Sequence, residues 1–259
     1  MDELRVRHDG ALATITLNRP DKHNAITVAM WDALPGALAT LSGDAGVRVV
    51  VVRGAGEEAF ASGADISEFG RVRSGAASAR AYSARVAAAE RALADFPKPT
   101  IAMIHGFCVG GGLELALACD LRWASSSGRF GITAARLSIV YSVDATRRLA
   151  RVVGPSHARD LLFSGRLVEA EEARAMGLVN RVCAPGELEK ETYAYARGLA
   201  QQAPLSQRGA KAMLQQLAGE GTMTGEDIAA FIEAAYDSAD YREGVQAFLA
   251  RRPARFEGR

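Results

Sequence analysis

Three consecutive glycines, Gly110-Gly111-Gly112, constrain this chain most, because they separate an apolar strand pattern from an apolar helix pattern. Residues 100–104 are predicted to form a short buried strand and residues 110–119 a helix. The first N–H groups of a helix have no acceptor within it, and glycine lets a ligand approach them closely. The spacing matches neither the Walker phosphate loop nor Gly-x-Gly-x-x-Gly. A ligand-binding loop and a tight strand-to-helix packing joint both remain open.

Strand and helix patterns alternate along the chain and predict an α/β protein. Three further segments have the pattern of strands, residues 12–17, 47–52 and 120–124. Residues 27–41 are predicted to be a helix that is interrupted near Pro35. The Ala-rich segment 76–94 is interpreted as a helix that exposes Arg80, Arg85 and Glu90, although a mobile segment fits its composition as well.

The C-terminal part of the sequence is helical in pattern. Pro155, Pro185 and Pro204 stand at predicted helix starts, where proline is favoured. We therefore predict an α/β body over residues 1–182 and a helical region over residues 183–259.

Charge, cysteine content and hydropathy exclude several classes of function. Of the 259 residues, 49% are hydrophobic, and 31 basic against 30 acidic residues give a formal net charge of +1. A large core is expected, without a basic surface for nucleic acid or anionic lipid. The three cysteines form no Cys-x-x-Cys pair, and the sequence has neither a signal-peptide pattern nor a membrane-spanning apolar run. We expect a cytoplasmic protein, and because the four histidines have no ligand spacing, no metal site.

A second glycine-containing loop, Ala61-Ser62-Gly63-Ala64-Asp65, follows the predicted strand 47–52. Asp65 has the position of a helix N-cap, with Glu68 as its reciprocal acidic partner. The amide of Ala64 lies just outside that helix. Two amides from separate strand-to-helix loops can hold the oxygen of a thioester enolate, and one such donor is typically worth roughly 3–4 kcal/mol of barrier.

Seven stretches in this order resemble the crotonase (enoyl-CoA hydratase/isomerase) superfamily over nearly the whole chain. They are Asn18-Arg19-Pro20 with Asn24-Ala25, Phe60-Ala61-Ser62-Gly63-Ala64-Asp65-Ile66, Lys98-Pro99-Thr100-Ile101-Ala102, Gly110-Gly111-Gly112-Leu113-Glu114-Leu115-Ala116, Cys119-Asp120, Leu162-Phe163-Ser164-Gly165 and Ala175-Met176-Gly177-Leu178-Val179. The resemblance implies a spiral of strand-strand-helix units, C-terminal helices that complete an acyl-CoA pocket, and a homotrimer or dimer of trimers.

The same resemblance assigns roles to particular residues. It makes the amides of Ala64 and Gly111 the oxyanion hole. It places the loop around Lys22 and Asn24 along coenzyme A, with Arg19 or Lys22 as a candidate charge partner of its phosphates. Both side chains are equally well explained as solvated surface charges. The substrate-binding residues implied are Lys22, Asn24, Ala25, Ala61, Gly63, Asp65, Ile66 and Gly110. Coenzyme A is part of the substrate, and no separate cofactor is implied.

Two positions depart from the hydratases of this family, which hold a water between two glutamates. Glu114 fills the first place, but the second, about twenty residues later in the family, falls on Ala134. The Pro-Gly turn that usually follows is replaced by Tyr141-Ser142. A two-carboxylate hydration mechanism is therefore disfavoured, because alanine cannot exchange a proton with water.

The pairing of Thr133 with Tyr141 instead resembles the methylmalonyl-CoA decarboxylase branch, as does the run of residues 236–244. That branch often has histidine where this chain has Ala64. Hydroxyls at Thr133 and Tyr141 would turn a departing carboxylate out of the thioester plane, whereas the alternatives are a turn cap and a core aromatic residue.

The carboxyl groups near these positions have predicted roles as well. Burial is expected to raise the pKa of Glu114, so that it returns a proton to the enolate carbon. Asp144 either replaces the missing acid or caps a helix.

Three readings of the function follow, in order of preference. The first is decarboxylation of a short malonyl-type acyl-CoA, and the second is hydration or isomerisation of a 2-enoyl-CoA. The third is a non-catalytic protein that binds acyl-CoA.

Overall fold

The chain folds as a β-hairpin followed by strand-strand-helix units, and the computed structural model describes residues 2–219, 221 and 223–259. The strands in these residues are β1 (Leu4–Asp9), β2 (Leu12–Leu17), β3 (Val49–Gly54), β4 (Ala59–Ala61), β5 (Thr100–Ile104), β6 (Phe107–Val109), β7 (Leu121–Ser125), β8 (Arg129–Gly131), β9 (Leu167–Glu169) and β10 (Arg181–Cys183). The helices are α1 (Val28–Gly43), α2 (Phe69–Val72), α3 (Ala76–Ala94), α4 (Gly111–Ala118), α5 (Val143–Ser164), α6 (Ala170–Ala175), α7 (Leu188–Ala200), α8 (Pro204–Leu217), α9 (Gly225–Tyr236) and α10 (Ala239–Leu249).

From β3 to β8, successive strands alternate between two sheets. The larger sheet has the order β1-β2-β3-β5-β7-β10 and the smaller the order β4-β6-β8-β9. All pairs are parallel except β1 with β2 and β8 with β9. Two successive strands thus add one strand to each sheet before the chain enters a helix, and this occurs three times, with β3 and β4, β5 and β6, and β7 and β8. This arrangement confirms the predicted α/β spiral of strand-strand-helix units with a helical C-terminal part.

Strand β3 of the larger sheet is buried on both faces, since successive side chains of a strand point in opposite directions and residues 49–52 are all buried. Val50 and Val52 of β3 pack into the main core, whereas Val49 and Val51 pack into a second cluster with Leu188 of α7. Strands that are covered on both sides read as continuous apolar runs, as β3 does. Helix α7 therefore covers the outer face of the sheet. The boundary at residue 182 between an α/β body and a helical region stays a prediction.

Two details of the predicted helices are wrong. Helix α1 is not interrupted but runs through Pro35, because Trp31, Leu34 and Leu38 on its buried face hold both halves against the core. Helix α3 spans residues 76–94 as predicted, but Glu90 is buried rather than exposed. A spacing of five residues turns a side chain by about 140° around a helix, so Arg80, Arg85 and Glu90 share no face.

The predicted capping arrangement at Asp65 is half right. The Asp65 carboxylate accepts from the Ser67 amide as an N-cap. Glu68 does not reciprocate, because its carboxylate accepts from the amide of Val28 at 2.8 Å and so binds the first turn of α1. This contact fixes the loop after β4 to α1.

In α5, Gly154 has a positive φ of 77°, and Pro155 restarts the helix after this kink.

Helices α8, α9 and α10 extend from this core and leave large apolar side chains exposed. Phe248 is 84% exposed and Leu217 is 86% exposed. An exposed apolar surface of this kind is typical of a protein-protein contact. In the described residues, no helix combines the length and the apolar character that a membrane span requires.

Candidate active site

The two predicted glycine loops meet at one end of the smaller sheet. The first follows β4 and the second follows β6, and these strands are parallel neighbours. A β-carbon on Gly111 would lie 3.6 Å from the Ala64 amide nitrogen, and one on Gly63 would lie 3.8 Å from the Gly111 amide nitrogen. The loops are therefore in van der Waals contact, which long side chains at these positions would prevent.

Each glycine of the triple has a different structural role. Gly110 has a φ of 56°, which favours glycine, and directs the chain from β6 into α4. A β-carbon on Gly112 would lie 2.5 Å from the Ala61 carbonyl oxygen, so Gly112 packs α4 against β4. Gly111 is the first residue of α4 and borders a cavity. The triple therefore serves both as a packing joint and as an open helix start.

The amides of Ala64 and Gly111 are both without a protein acceptor in the described residues. The Ile26 amide donates to the Gly63 carbonyl at 2.8 Å, and the Asp65 amide donates to the Ile26 carbonyl at 2.9 Å. In such a parallel bridge the intervening Ala64 N–H points away from the partner segment. The Gly111 N–H is free because it lies in the first turn of α4. Two unpaired donors from separate loops thus border the same space.

This space is a small two-lobed cavity. The loop lobe has a volume of about 80 Å³ and is bordered by eight of the predicted site residues, Gly63, Ala64, Ile66, Gly110, Gly111, Glu114, Thr133 and Tyr141. The helix lobe has a volume of about 70 Å³ and includes Arg73, Glu90 and Ser142 in its lining. Glu114 and Tyr141 line both lobes. The structure therefore brings all five residues predicted as catalytic to one cavity.

Glu114 is held in the cavity by its place in α4. It lies one turn into this apolar helix and is 8% exposed. Burial raises the pKa of Glu114 well above its ordinary value, and the Glu90 carboxylate raises that pKa further, whereas Arg148 and Arg73 oppose the rise. The environment thus favours a protonated carboxyl group that can act as an acid.

Glu90 is a second buried carboxyl group, which α3 supplies. Its Oε2 accepts from Arg148 at 2.8 Å, and both side chains are largely buried. Burial raises the pKa of Glu90, and the pairing with Arg148 opposes this rise. The other carboxylate oxygen, Oε1, has no hydrogen-bond partner among the described residues.

Thr133, Ala134 and Tyr141 form the wall opposite the glycine loops. Thr133 begins the 3₁₀ helix Thr133–Leu137 but does not cap it, because the cap position is Ile132. Ala134 lines the loop lobe without a polar group. A β-carbon on Gly110 would lie 3.6 Å from the Tyr141 hydroxyl oxygen, and burial raises the pKa of Tyr141 above its usual range. The phenol is thereby kept as a neutral donor next to the glycine loop.

Five residues predicted to bind substrate do not line the cavity, namely Lys22, Asn24, Ala25, Ala61 and Asp65. Asn24 is fully buried, and its amide donates to the carbonyls of Ala55 at 2.9 Å and Ala59 at 2.7 Å. Its side chain is therefore structural and unavailable to a substrate. Ala61 is also fully buried, and it lies beneath Gly112.

The charged residues of this region differ from the predictions as well. Asp65 binds Arg19 at 2.7 Å, and that bond and the contact with Ser67 lower the pKa of its carboxyl group. Arg19 is thus neither a free charge nor a solvated one, whereas Lys22 is exposed. Asp144 lies outside both lobes and pairs with Arg147 at 2.8 Å, and Ser142 rather than Asp144 caps α5. Asp144 therefore does not replace the missing acid.

Several cavity residues were not predicted from the sequence. Trp31 donates from its indole N–H to the Tyr82 hydroxyl at 3.2 Å, and both residues border the loop lobe. Tyr82, Val86 and Glu90 lie four residues apart on α3, which puts them on one face. That spacing was a usable signal. Arg73 had none, because isolated arginines usually lie on the surface.

The described residues contain no cluster of three or more His, Cys, Asp or Glu side chains that could hold a metal ion.

Comparisons with known proteins agree with this architecture. A family model described as enoyl-CoA hydratase/isomerase matches residues 7–259. The chain is 34% identical to the mitochondrial methylglutaconyl-CoA hydratase of Mus musculus, over 99% of this chain and 84% of that protein. It is 35% identical to a crotonyl-CoA hydratase of Syntrophomonas wolfei, over 95% of this chain and 94% of that protein.

Solved structures give the same result. The crystal structure of an enoyl-CoA hydratase/carnithine racemase from Magnetospirillum magneticum superposes with a TM-score of 0.96 at 40% identity. The match covers 100% of this chain and 97% of that chain. By sequence and by structure, this chain belongs to the enoyl-CoA hydratase/isomerase family of the crotonase superfamily.

Proposed function

We propose that this protein acts on an acyl-CoA thioester whose carbonyl oxygen is held by the N–H groups of Ala64 and Gly111. The observation that carries the proposal is that two amides without protein acceptors, from separate loops, border one cavity beside a buried carboxyl group. A thioester enolate concentrates negative charge on this oxygen, and one such donor lowers the barrier by about 3–4 kcal/mol. Membership of the enoyl-CoA hydratase/isomerase family supports the choice of a CoA thioester.

The reaction proposed is decarboxylation of a short malonyl-type acyl-CoA. Loss of carbon dioxide needs no base, because the electron pair of the breaking C–C bond passes directly into the enolate. The hydroxyl groups of Thr133 and Tyr141 border the loop lobe and are suited to orient the departing carboxylate. Ala134 in the same wall adds no charge, whereas a carboxylate there would repel that of the substrate by about 4 kcal/mol at 4 Å and an effective dielectric of 20.

Glu114 then completes the reaction as an acid. Its raised pKa favours the protonated form, which can transfer a proton to the carbon that has lost carbon dioxide. The enolate becomes a neutral thioester, and the Glu114 carboxylate regains its proton from water. A water-activating base, in contrast, would have to be deprotonated before each turnover.

Hydration of a 2-enoyl-CoA is the second candidate function. The names of related proteins favour it, since methylglutaconyl-CoA hydratase and crotonyl-CoA hydratase are both at least 34% identical to this chain. Here Glu114 would have to accept a proton from water and return it to carbon, with Glu90 as the nearest additional carboxyl group. Arg148 already occupies one oxygen of Glu90, and Ala134 supplies no second carboxyl group to the loop lobe, which is why we rank hydration second.

Further parts of the proposal concern binding and assembly. The exposed Lys22 and its neighbour Ala25 are proposed to lie along coenzyme A through surface contacts rather than in the cavity. Helices α8 to α10 are proposed to complete this binding surface and to form the contacts of a homotrimer or a dimer of trimers.

One pair of substrates separates the candidate functions. The purified protein is incubated with methylmalonyl-CoA and, separately, with crotonyl-CoA, and carbon dioxide release and enoyl absorbance are followed. Carbon dioxide release without loss of crotonyl-CoA supports the proposal, whereas loss of enoyl absorbance alone supports hydration. Binding of both esters without turnover would contradict catalysis and would indicate a non-catalytic acyl-CoA-binding protein.

A further inference from the structure

Arg73 places a positive charge in the cavity without an acidic partner. It lines both the loop lobe and the helix lobe. Within the described residues, no ion pair joins its guanidinium to an Asp or Glu, and its Nε is buried without a hydrogen-bond partner. A buried donor without a partner is costly, so its persistence needs a reason.

Two aromatic rings hold the guanidinium in position. Its central carbon lies 4.4 Å from the centre of the Phe69 ring and 4.5 Å from that of the Tyr82 ring. Cation–π contact with two rings restrains the position of the group, and its Nε–H remains without a protein acceptor among the described residues. Burial raises the pKa of the Tyr82 hydroxyl, and its hydrogen bond with Trp31 and the charge of Arg73 oppose this rise.

The charge of Arg73 reaches the groups that line the cavity. It opposes the increase in pKa of both Glu114 and Tyr141, which burial causes. Arg148, the other arginine near these groups, is already paired with Glu90. The neighbouring Arg71, by comparison, is exposed and binds Glu68 at 2.8 Å. Arg73 therefore differs from both in having no carboxylate.

We propose that Arg73 binds a carboxylate carried by the acyl group of the substrate, so that the preferred substrates are acyl-CoA esters of dicarboxylic acids. This inference rests on the proposed function. It narrows the acyl-CoA thioesters of that function to those whose acyl group carries a second carboxylate. A guanidinium matches a carboxylate in shape and charge, and such a pair satisfies donors that the protein leaves free. The carboxylate lies either at a malonyl-type position, where it can leave as carbon dioxide, or farther along the acyl chain, where it is retained.

Equilibrium binding of saturated esters tests this proposal without depending on turnover. Dissociation constants of succinyl-CoA and glutaryl-CoA are compared with that of butyryl-CoA by isothermal titration calorimetry, in the parent and in Arg73→Met, Arg73→Lys and Arg71→Met. Malonyl-CoA is also measured, under conditions in which carbon dioxide release is negligible, because its carboxylate lies at the malonyl-type position. The Met variant keeps the length of the side chain without its charge, the Lys variant keeps the charge, and Arg71→Met removes a nearby surface charge.

The parent and Arg71→Met are expected to bind at least one dicarboxylic ester about 10- to 100-fold more tightly than butyryl-CoA. Arg73→Met should lose this preference and leave the affinity for butyryl-CoA unchanged, whereas Arg73→Lys should retain part of it. The ester with the strongest preference identifies the position of the carboxylate.

Three outcomes would overturn the inference. Equal affinities of the parent for charged and neutral esters would overturn this inference but not the proposed function. An equal loss of affinity for all esters in Arg73→Met would do the same, since Arg73 would then attract coenzyme A itself. If no CoA ester bound to the folded parent, the proposed function would fail and this inference with it.

Discussion

Glu90 and Arg148 form a buried ion pair, at 2.8 Å, next to the carboxyl group of Glu114. Helix α3 supplies the glutamate and α5 the arginine, so the pair joins two helices that are far apart in the sequence. In the described part of the chain, only one oxygen of Glu90 has a hydrogen-bond partner, and the Nε of Arg148 has none. Within the pair, the Glu90 carboxylate raises the pKa of Glu114, whereas Arg148 opposes this rise.

Removal of Arg148 is expected to destabilise the fold strongly. Arg148→Met would leave the Glu90 carboxylate buried without a counter-charge, which costs about 3–5 kcal/mol. The double variant Glu90→Gln/Arg148→Met should regain much of this loss. Urea denaturation measures both free energies of unfolding, and Arg174→Met, at an exposed ion pair, serves as a control expected to change by less than about 1 kcal/mol. Equal stabilities of single and double variants would contradict a buried charge at Glu90.

Glu114→Gln is expected to lower turnover by about 10²- to 10⁴-fold, because it removes the proposed proton donor. For a malonyl-type substrate, carbon dioxide release should be affected less than incorporation of a solvent proton. Mass spectrometry in heavy water, together with carbon dioxide release, measures the two steps. Unchanged rates of both would make Glu114 a structural residue.

The same variant should change how stability depends on pH. The pKa of Glu114 is raised in the folded protein above its ordinary value of 4.5, so the folded state binds this proton more tightly than the unfolded chain. Its contribution to stability is thus lost as the pH rises from about 4.5 through the raised pKa. The free energy of unfolding of the parent should fall relative to that of Glu114→Gln over this interval. Parallel curves would indicate an ordinary pKa.

Gly111→Pro tests the proposed oxyanion amide directly. Proline is tolerated at the first position of a helix but has no N–H, so one donor is removed. A β-carbon there would lie 3.3 Å from the Trp31 ring, and Gly111→Ala is therefore the control for crowding. Relative to the Ala variant, the Pro variant should lose about 10²- to 10³-fold in kcat. Comparable rates of the two folded variants would contradict the role of this amide.

Tyr141→Phe and Thr133→Ala should each lower decarboxylation of methylmalonyl-CoA, by about tenfold if each removes one hydrogen bond of about 1.4 kcal/mol. Tyr195→Phe removes a hydroxyl outside the cavity and should leave the rate unchanged. Circular dichroism establishes that the variants are folded. If neither cavity hydroxyl affects the rate, the argument for decarboxylation over hydration loses its support.

Phe248→Glu tests the proposed assembly through the C-terminal helices. Phe248 is 84% exposed in a single chain, so its replacement should not disturb that chain. If other copies cover this surface, a buried charge there should dissociate the oligomer. Light scattering after size exclusion gives the mass, with Val6→Glu as a control on the edge strand β1. An unchanged mass for a homotrimer or hexamer would place the interface elsewhere.

Local patterns were sufficient for most of the fold. Both ends of β2 and of α3 were predicted correctly. The spacing of apolar residues along a strand or helix with one apolar face indicates which of the two elements it is. Helix α1 was predicted with a break at Pro35, because the local cost of proline was visible and the packing of Trp31 and Leu38 that offsets it was not.

The candidate site was predicted where backbone geometry decides the role. Gly110, Gly111, Gly63 and Ala64 were found because glycine-rich turns after strands have few alternatives. Asn24 was misjudged because nothing in its neighbourhood shows that its amide is used by the carbonyls of Ala55 and Ala59.

The sequence by itself determined the family, the alternation of strands and helices, the two glycine loops, and the change from glutamate to alanine at position 134. Only the tertiary structure decided that Glu90 is buried beside Glu114, that Arg148 rather than solvent faces it, and that Arg73 has no acidic partner among the described residues. The physical reason is that burial and pairing of a charge depend on groups brought together from distant segments, whereas helix, strand and turn preferences are properties of neighbouring residues.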